Sequence, residues 1–216
     1  YLTMKKVLYL LAFSFIVYSC GKEDLTYSCN AEIDAIVKSA KIEFSKLALT
    51  EFLEYNIELQ KAIFRSFSNE KKREFWLEKL NILLLNDEYN NYEKKHIEKL
   101  ISHITIDYFE VAENDSVKLA ARMKFENDWK SYALNTLNWG ESKIYFIVNS
   151  LSITSDQYAQ TISELKEITL NYMAGNCICS TESDYCSDIG GWCTAGGCTE
   201  TSGCGWLWSY TCNGNC

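Results

Sequence analysis

Between residues 30 and 172 the apolar side chains recur in steps of three and four, with no Pro and almost no Gly, which is the period of amphipathic helices. Ile33, Ile36, Val37, Ala40, Phe44 and Leu47 form one stripe and predict a first helix over 31–48. Thr50 is placed to cap a second helix carrying Phe52, Leu53, Ile57, Ile63, Phe64 and Phe67. Ser68 is placed to cap a third, with Phe75, Trp76, Leu80, Leu83 and Leu84. Asn86-Asp87 breaks the run, and a fourth helix follows with Tyr89, Tyr92, His96, Ile97, Leu100, Ile101 and Ile104 on one face. A fifth begins near Asn114-Asp115 and aligns Val117, Ala121, Phe125, Trp129, Ala133 and Leu137, with Trp139-Gly140 as its stop. Residues 144–148 fit a strand by composition and a short helix by spacing, and are read as helix. Thr154-x-x-Gln157 forms a capping box before Tyr158, Ile162, Leu165 and Ile168. About 140 residues with this many apolar positions suffice for one core.

At Met173-Ala-Gly-Asn176 the pattern stops, and these four residues read as a hinge. The segment 177–216 carries Cys177, Cys179, Cys186, Cys193, Cys198, Cys204, Cys212 and Cys216, most of the glycines, and no Lys, Arg, His or Pro. A unit that short needs staples to hold a fold, either disulfides or metal. Irregular spacing and the lack of histidine favour disulfides, and eight cysteines allow 105 pairings, with Cys177 and Cys179 too close to pair with each other. The expected fold class is an all-α helical domain over 30–172 followed by a small disulfide-rich C-terminal domain with little regular structure. A strand through Trp206, Trp208 and Tyr210 would align three rings on one face, serving either as the core of this unit or as an exposed recognition or membrane-contacting surface. Asn213-Gly214 predicts a tight turn.

Asn176-Cys-Ile-Cys-Ser-Thr-Glu-Ser-Asp-Tyr-Cys186, the Cys204-Gly-Trp206 element and the ending Cys212-Asn-Gly-Asn resemble the secreted bacteriocin peptides of the fulvocin C type. The resemblance covers 176–216. It implies a disulfide-rich antibacterial peptide carried on a larger precursor and released by cleavage near 172–176. The rival reading is a surface protein whose tail is a binding or adhesion module that stays attached.

The N-terminal pattern is that of an export signal: Met4-Lys-Lys, the apolar run 7–18, then Ser19-Cys20, with the natural start expected at Met4 and residues 1–3 an over-read frame. The run is short for a spanning helix, so a transmembrane anchor is the less favoured alternative. Val17-Tyr-Ser-Cys20 resembles the lipobox of bacterial lipoproteins, with Val where Leu is usual. It implies that residues 1–19 are removed and that Cys20 is acylated, which makes the membrane a partner through lipid and places the chain at the outer membrane. Gly21-Lys22-Glu23-Asp24 resembles the tag of lipoproteins displayed on the outer surface. Residues 20–29 then form an acylated tether. Export to an oxidising compartment supports bridged cysteines.

Without residues 1–19 the chain loses Lys5 and Lys6 and keeps 19 basic against 29 acidic residues, a net charge of −10. That disfavours nucleic acid and anionic lipid as partners, because both demand basic patches. The tail's own charges, Glu182, Asp184, Asp188 and Glu200, are all negative, so a killing mechanism would need a receptor or envelope component, or an aromatic, non-electrostatic membrane contact, rather than cationic membrane attraction. With Cys20 acylated, nine cysteines remain. One is odd, and Cys29 is the expected odd thiol, the alternative being that Cys29 ties the N-terminal segment to the tail. His96 and His103, seven apart, could form a metal pair with Glu93, but two packed histidines are the favoured reading. No nucleophile elbow, phosphate loop or His-Glu-x-x-His occurs, so no catalytic residue, cofactor or metal is assigned and the chain is read as non-enzymatic.

Overall fold

The computed structural model describes residues 25–110, 115–170, 177–183, 185–186 and 191–215. The export signal, Cys20, the hinge 173–176 and Cys216 lie outside these residues.

The helices of nine or more residues start at side-chain caps. Asn30 accepts from Glu32 N and Ile33 N and starts α1 (Ala31–Ser39). The expected helix over 31–48 is broken at Ala40 (φ −111°, ψ 18°), and the chain continues as α2 (Lys41–Phe44) and α3 (Leu49–Phe52). This offset lets Val37 and Phe44 both reach the core while Ile36 and Ile42 remain in water. The second predicted helix likewise divides, because α4 (Ile57–Ser66) has its own cap in Asn56, and Thr50 lies inside α3. Ser68 caps α5 (Asn69–Leu85) as its position predicts, accepting from Lys71 N. Asn90 and Glu93 form a reciprocal capping box for α6 (Asn91–His103), followed by a 3₁₀ turn (Ile106–Phe109) that the pattern does not predict. Asp115 caps α7 (Ser116–Asn135). Residues 144–148 are helical, in α8 (Glu141–Val148), and Gly140 is the residue before its first turn rather than the end of α7. In α9 (Ser155–Leu170) the Thr154 hydroxyl accepts from Gln157 N, and the Gln157 side chain reaches back to Ile153 N.

The buried face of α7 differs from the expected one. Val117 is 77% exposed, whereas Glu126, Trp129 and Ala133 are buried. Strict steps of four drift around a helix of 3.6 residues per turn, so three such steps turn about 120° and carry Val117 off the face that Trp129 occupies.

One buried cation holds the far end of the core. Lys79 is 0% exposed, and its ammonium donates to the carbonyls of Phe146, Ile147 and Ser150. Those carbonyls belong to the C-terminal turn of α8 and the residues after it, where intrahelical donors run out. Burial pushes the amine down, but three acceptors call for all three ammonium N–H groups. Lys79→Met is expected to lower stability by about 2 kcal/mol through the orphaned carbonyls, read as a fall in the urea midpoint at constant slope.

The tail contains two small antiparallel sheets: β1 (Tyr185–Cys186) with β2 (Gly191–Trp192), and β3 (Thr194–Cys204) with β4 (Tyr210–Asn215). Thr194 pairs with Asn215 and Cys204 with Tyr210, with irregularities between them. The expected aromatic strand is instead a 3₁₀ turn, Trp206–Trp208, and Asn213-Gly214 lies within β4 rather than at a turn. Gly214 is required there, since an added Cβ would sit 2.5 Å from Cys193 Sγ and 2.6 Å from Thr194 O. Among the described residues no helix is long and apolar enough to cross a membrane.

Candidate functional site

The helical body and the tail share one hydrophobic core. Ile178, Trp206, Leu207, Trp208 and Tyr210 belong to the same buried cluster as Phe52, Phe64, Trp76 and Trp129. Gly205 (φ 68°) starts the 3₁₀ turn, and Leu207 and Trp208 themselves adopt positive φ (52° and 53°), which drives three successive side chains inward. Trp208 meets the rings of Phe64 at 5.3 Å, Trp76 at 6.3 Å and Phe52 at 6.4 Å, and its indole N–H donates to Asn149 O at 2.8 Å. Trp206 packs edge-on against Trp129 at 5.2 Å.

These contacts correct the exposed-face alternative. Trp206, Trp208 and Tyr210 are only 5%, 1% and 3% exposed. The physical reason is that the body provides apolar ring faces that a forty-residue unit could not, and burying large rings is the strongest available driving force.

Polar contacts close the same seam. Glu126 of α7 accepts from the Tyr108 hydroxyl at 2.5 Å and the Tyr210 hydroxyl at 2.6 Å, one on each oxygen. Arg122 Nε lies 3.8 Å from Glu126, and its guanidinium lies 4.2 Å over the Tyr210 ring. Burial outweighs these contacts and pushes the Glu126 carboxyl up to about 7. From α4, Lys61 donates to Ile178 O at 2.5 Å, and Arg65 donates to Ser202 O at 2.5 Å and to Tyr27 O at 2.8 Å. One guanidinium therefore joins the N-terminal segment, the body and the tail.

Beside this seam lies a cleft of about 280 Å³, lined by Met123, Glu126, Lys130, Glu182, Trp206 and Tyr210 among others. A second cavity, of about 510 Å³, opens between the ends of α5, α8 and α9, with Tyr89, Phe146 and Tyr158 as walls and Lys143 and Glu88 at its edge. Both oxygens of Glu126 are occupied by tyrosine hydroxyls, so the carboxyl works as a clasp between α7 and β4 rather than as an accessible base.

Among the described residues two bridges lie within the tail, while Cys177 is not disulfide-bonded, which corrects its place among the eight expected bridge cysteines. Cys179–Cys193 and Cys204–Cys212 are bonded, at S–S distances of 2.00 and 2.01 Å, and Cys186 is also disulfide-bonded. The sulfurs of Cys179, Cys186 and Cys193 lie within 4.8 Å of one another, a grouping that two disulfides account for. Cys177 is buried against Cys204 and Cys212. Cys198 falls within β3. Cys29 is disulfide-bonded, which corrects its expected role as the odd thiol. Tyr27, two residues before it, accepts from Arg65, the side chain that also holds Ser202 of the tail.

The histidines are packed. His96 stacks on Trp129 at 4.2 Å and bonds Trp129 O through Nε2 at 3.1 Å, and burial pushes it down to about 4. His103 stacks on Phe125. Glu93 accepts from Asn90 N, Trp139 Nε1 and Lys143.

Sequence reasoning missed Lys61, Arg65, Lys79 and Glu126. The available signal was spacing: Ile57, Lys61 and Arg65 step by four along α4, and Arg122, Glu126, Trp129 and Ala133 step by four and three along α7, so charges occupy positions that an apolar stripe would fill.

No protein-family model, no curated protein and no solved structure matches this chain. Fold and site together define a class only: a helical body whose core is completed by a disulfide-stapled tail.

Proposed function

We propose that this chain is an exported, lipid-anchored, non-enzymatic protein whose cysteine-rich tail acts while joined to its helical body, as a binding or adhesion module. The observation that supports this reading is the burial of Trp206, Trp208 and Tyr210 among the body's own rings. Detaching the tail would return those rings and their partners to water, at about 1.5 to 3 kcal/mol for each large side chain uncovered. The contact surface in this reading is the cleft beside Glu126, where polar groups from body and tail meet over Trp206 and Tyr210.

The carrier reading rests on the resemblance of 176–216 to fulvocin C-type peptides. In it the body would mask the rings that the peptide uses, and cleavage near 172–176 would have to be followed by extraction from a shared core. Mass spectrometry of producing cells and their medium separates the two: tail peptides are expected only from chains still joined to the body. Free 177–216 in the medium, together with clearing of bacterial lawns by the oxidised peptide, would return the chain to the bacteriocin class. The anchor is checked separately at Cys20, where an unmodified mature N-terminal peptide beginning elsewhere would remove it.

A further inference from the structure

Helix α4 presents two cations, one turn apart, to the cysteine hairpin. Lys61 Nζ lies 3.5 Å from Cys204 Sγ, and Arg65 Nη2 lies 3.0 Å from Cys212 Sγ. Each sulfur of the Cys204–Cys212 bridge thus has its own cation. The four side chains are 8% exposed or less, so solvent screens these contacts little. Lys72 of α5 senses the same field: burial and the charge of Arg65 push its amine down to about 8.

A disulfide is neutral, whereas reduction creates two sulfurs that can each carry a negative charge. The two cations therefore stabilise the reduced form more than the oxidised one, and such a difference makes a bridge electron-accepting. Backbone conformation adds to it. Cys204 sits between Gly203 (φ 97°) and Gly205 (φ 68°), and Leu207 and Trp208 follow in the left-handed region, which is unfavourable by about 1 to 2 kcal/mol for each such residue. The bridge closes the loop that contains this turn.

We propose that Cys204–Cys212 is a thiol–disulfide exchange site, reduced by a dithiol or by two monothiols, with Lys61 and Arg65 holding the product thiolates. Local opening of the hairpin exposes the bridge, a donor thiolate then attacks one sulfur, the S–S bond breaks and a mixed disulfide forms. A second donor thiolate then attacks that mixed disulfide. Two electrons come to rest on Cys204 and Cys212, the donor leaves as its disulfide, and protons not retained by the sulfurs pass to solvent. Reduction opens the end of the hairpin that inserts Trp206 to Trp208 into the body, which couples the redox state of the tail to its hold on the seam.

The test equilibrates the full chain in detergent with mixtures of glutathione and glutathione disulfide, traps thiols by alkylation and quantifies each cysteine by mass spectrometry. Cys204–Cys212 is expected to reduce in a buffer about tenfold less reducing than Cys179–Cys193 requires, roughly 30 mV apart. Lys61→Met and Arg65→Met are each expected to make reduction of this bridge about tenfold harder. A purely structural bridge moves the opposite way, since losing the Arg65 contacts to Ser202 and Tyr27 loosens the hairpin and eases reduction. Easier or unchanged reduction in the variants overturns the proposal. Should a variant not fold, the reduced wild-type protein decides alone: the alkylation rate of Cys204 and Cys212 against pH is expected to reach half its maximum at least about one pH unit below the ordinary thiol value of roughly 8.5. A midpoint at or above that value overturns it equally.

Discussion

Trp208→Ala is expected to lower the stability of the whole chain by about 3 to 5 kcal/mol, the range for removing a large ring from a packed interior. The indole meets Phe52, Phe64 and Trp76 from α3, α4 and α5 and donates to Asn149 O after α8, so its loss leaves a cavity at the meeting point of four body segments and one unpartnered carbonyl. Domains of this size are stable by only about 5 to 15 kcal/mol, so a large share of the total is at stake. Urea unfolding followed by far-ultraviolet circular dichroism, which reports the helices, should show the lower midpoint even though the substitution lies in the tail. An unchanged helical transition would mean that the tail folds apart from the body.

The second large effect concerns pH. The Glu126 carboxyl is raised by burial from an ordinary 4.5 to about 7, so the folded chain holds a proton that the unfolded chain gives up. The resulting stabilisation is complete below 4.5 and is lost as pH rises through 7, about 3 kcal/mol across the window. His96 works in the other direction. Burial lowers it from 6.5 to about 4, so the unfolded chain binds the extra proton and stability rises with pH over the same range, and His103, also lowered by burial, adds to that rise. The wild-type profile between pH 4.5 and 7 is therefore expected to be shallow. Glu126→Gln removes one opposing slope and should gain about 3 kcal/mol, relative to wild type, on going from pH 4.5 to 7. The tyrosines facing Glu126 do not titrate in this window, because burial pushes Tyr108 and Tyr210 further up. Parallel profiles for the two proteins would show that the carboxyl is not held protonated at the seam.

Both expectations describe one device. Rings from the tail fill the core of the body, and a carboxyl, a guanidinium and an ammonium from the body fasten the hairpin that carries them. A tail that contributes to the core of its carrier is suited to acting in place. The cations that fasten it also sit on the sulfurs of the bridge that closes the hairpin.

Much of the helical body was legible in the sequence because helix starts depend on neighbours three residues apart. Ser68 and Asp115 cap the helices that their positions predict, and the helical reading of 144–148 follows from spacing alone. The breaks at Ala40 and before Asn56 were not legible, since an unbroken apolar period conceals a bend that only the partners of Val37 and Phe44 require. The face of α7 was misread for a related reason: Val117 and Phe125 are as apolar as Trp129, and contacts from elsewhere in the chain, His96, Trp139 and Tyr108 in the body and Trp206 and Tyr210 in the tail, select the side that carries Glu126 and Trp129.

By itself the sequence determined the helical class of residues 30–172, the need for bridges in a segment of forty residues with eight cysteines, and the acidity that argues against nucleic acid. These depend on composition and on short-range periodicity, which the chain carries locally. Only the tertiary structure decided that the aromatic turn points inward, that Cys29 is bonded, and that Lys61, Arg65 and Glu126 serve the tail. Whether a ring is core or surface depends on what stands opposite it, and the faces opposite Trp206 and Trp208 come from residues 77 to 156 positions earlier in the chain.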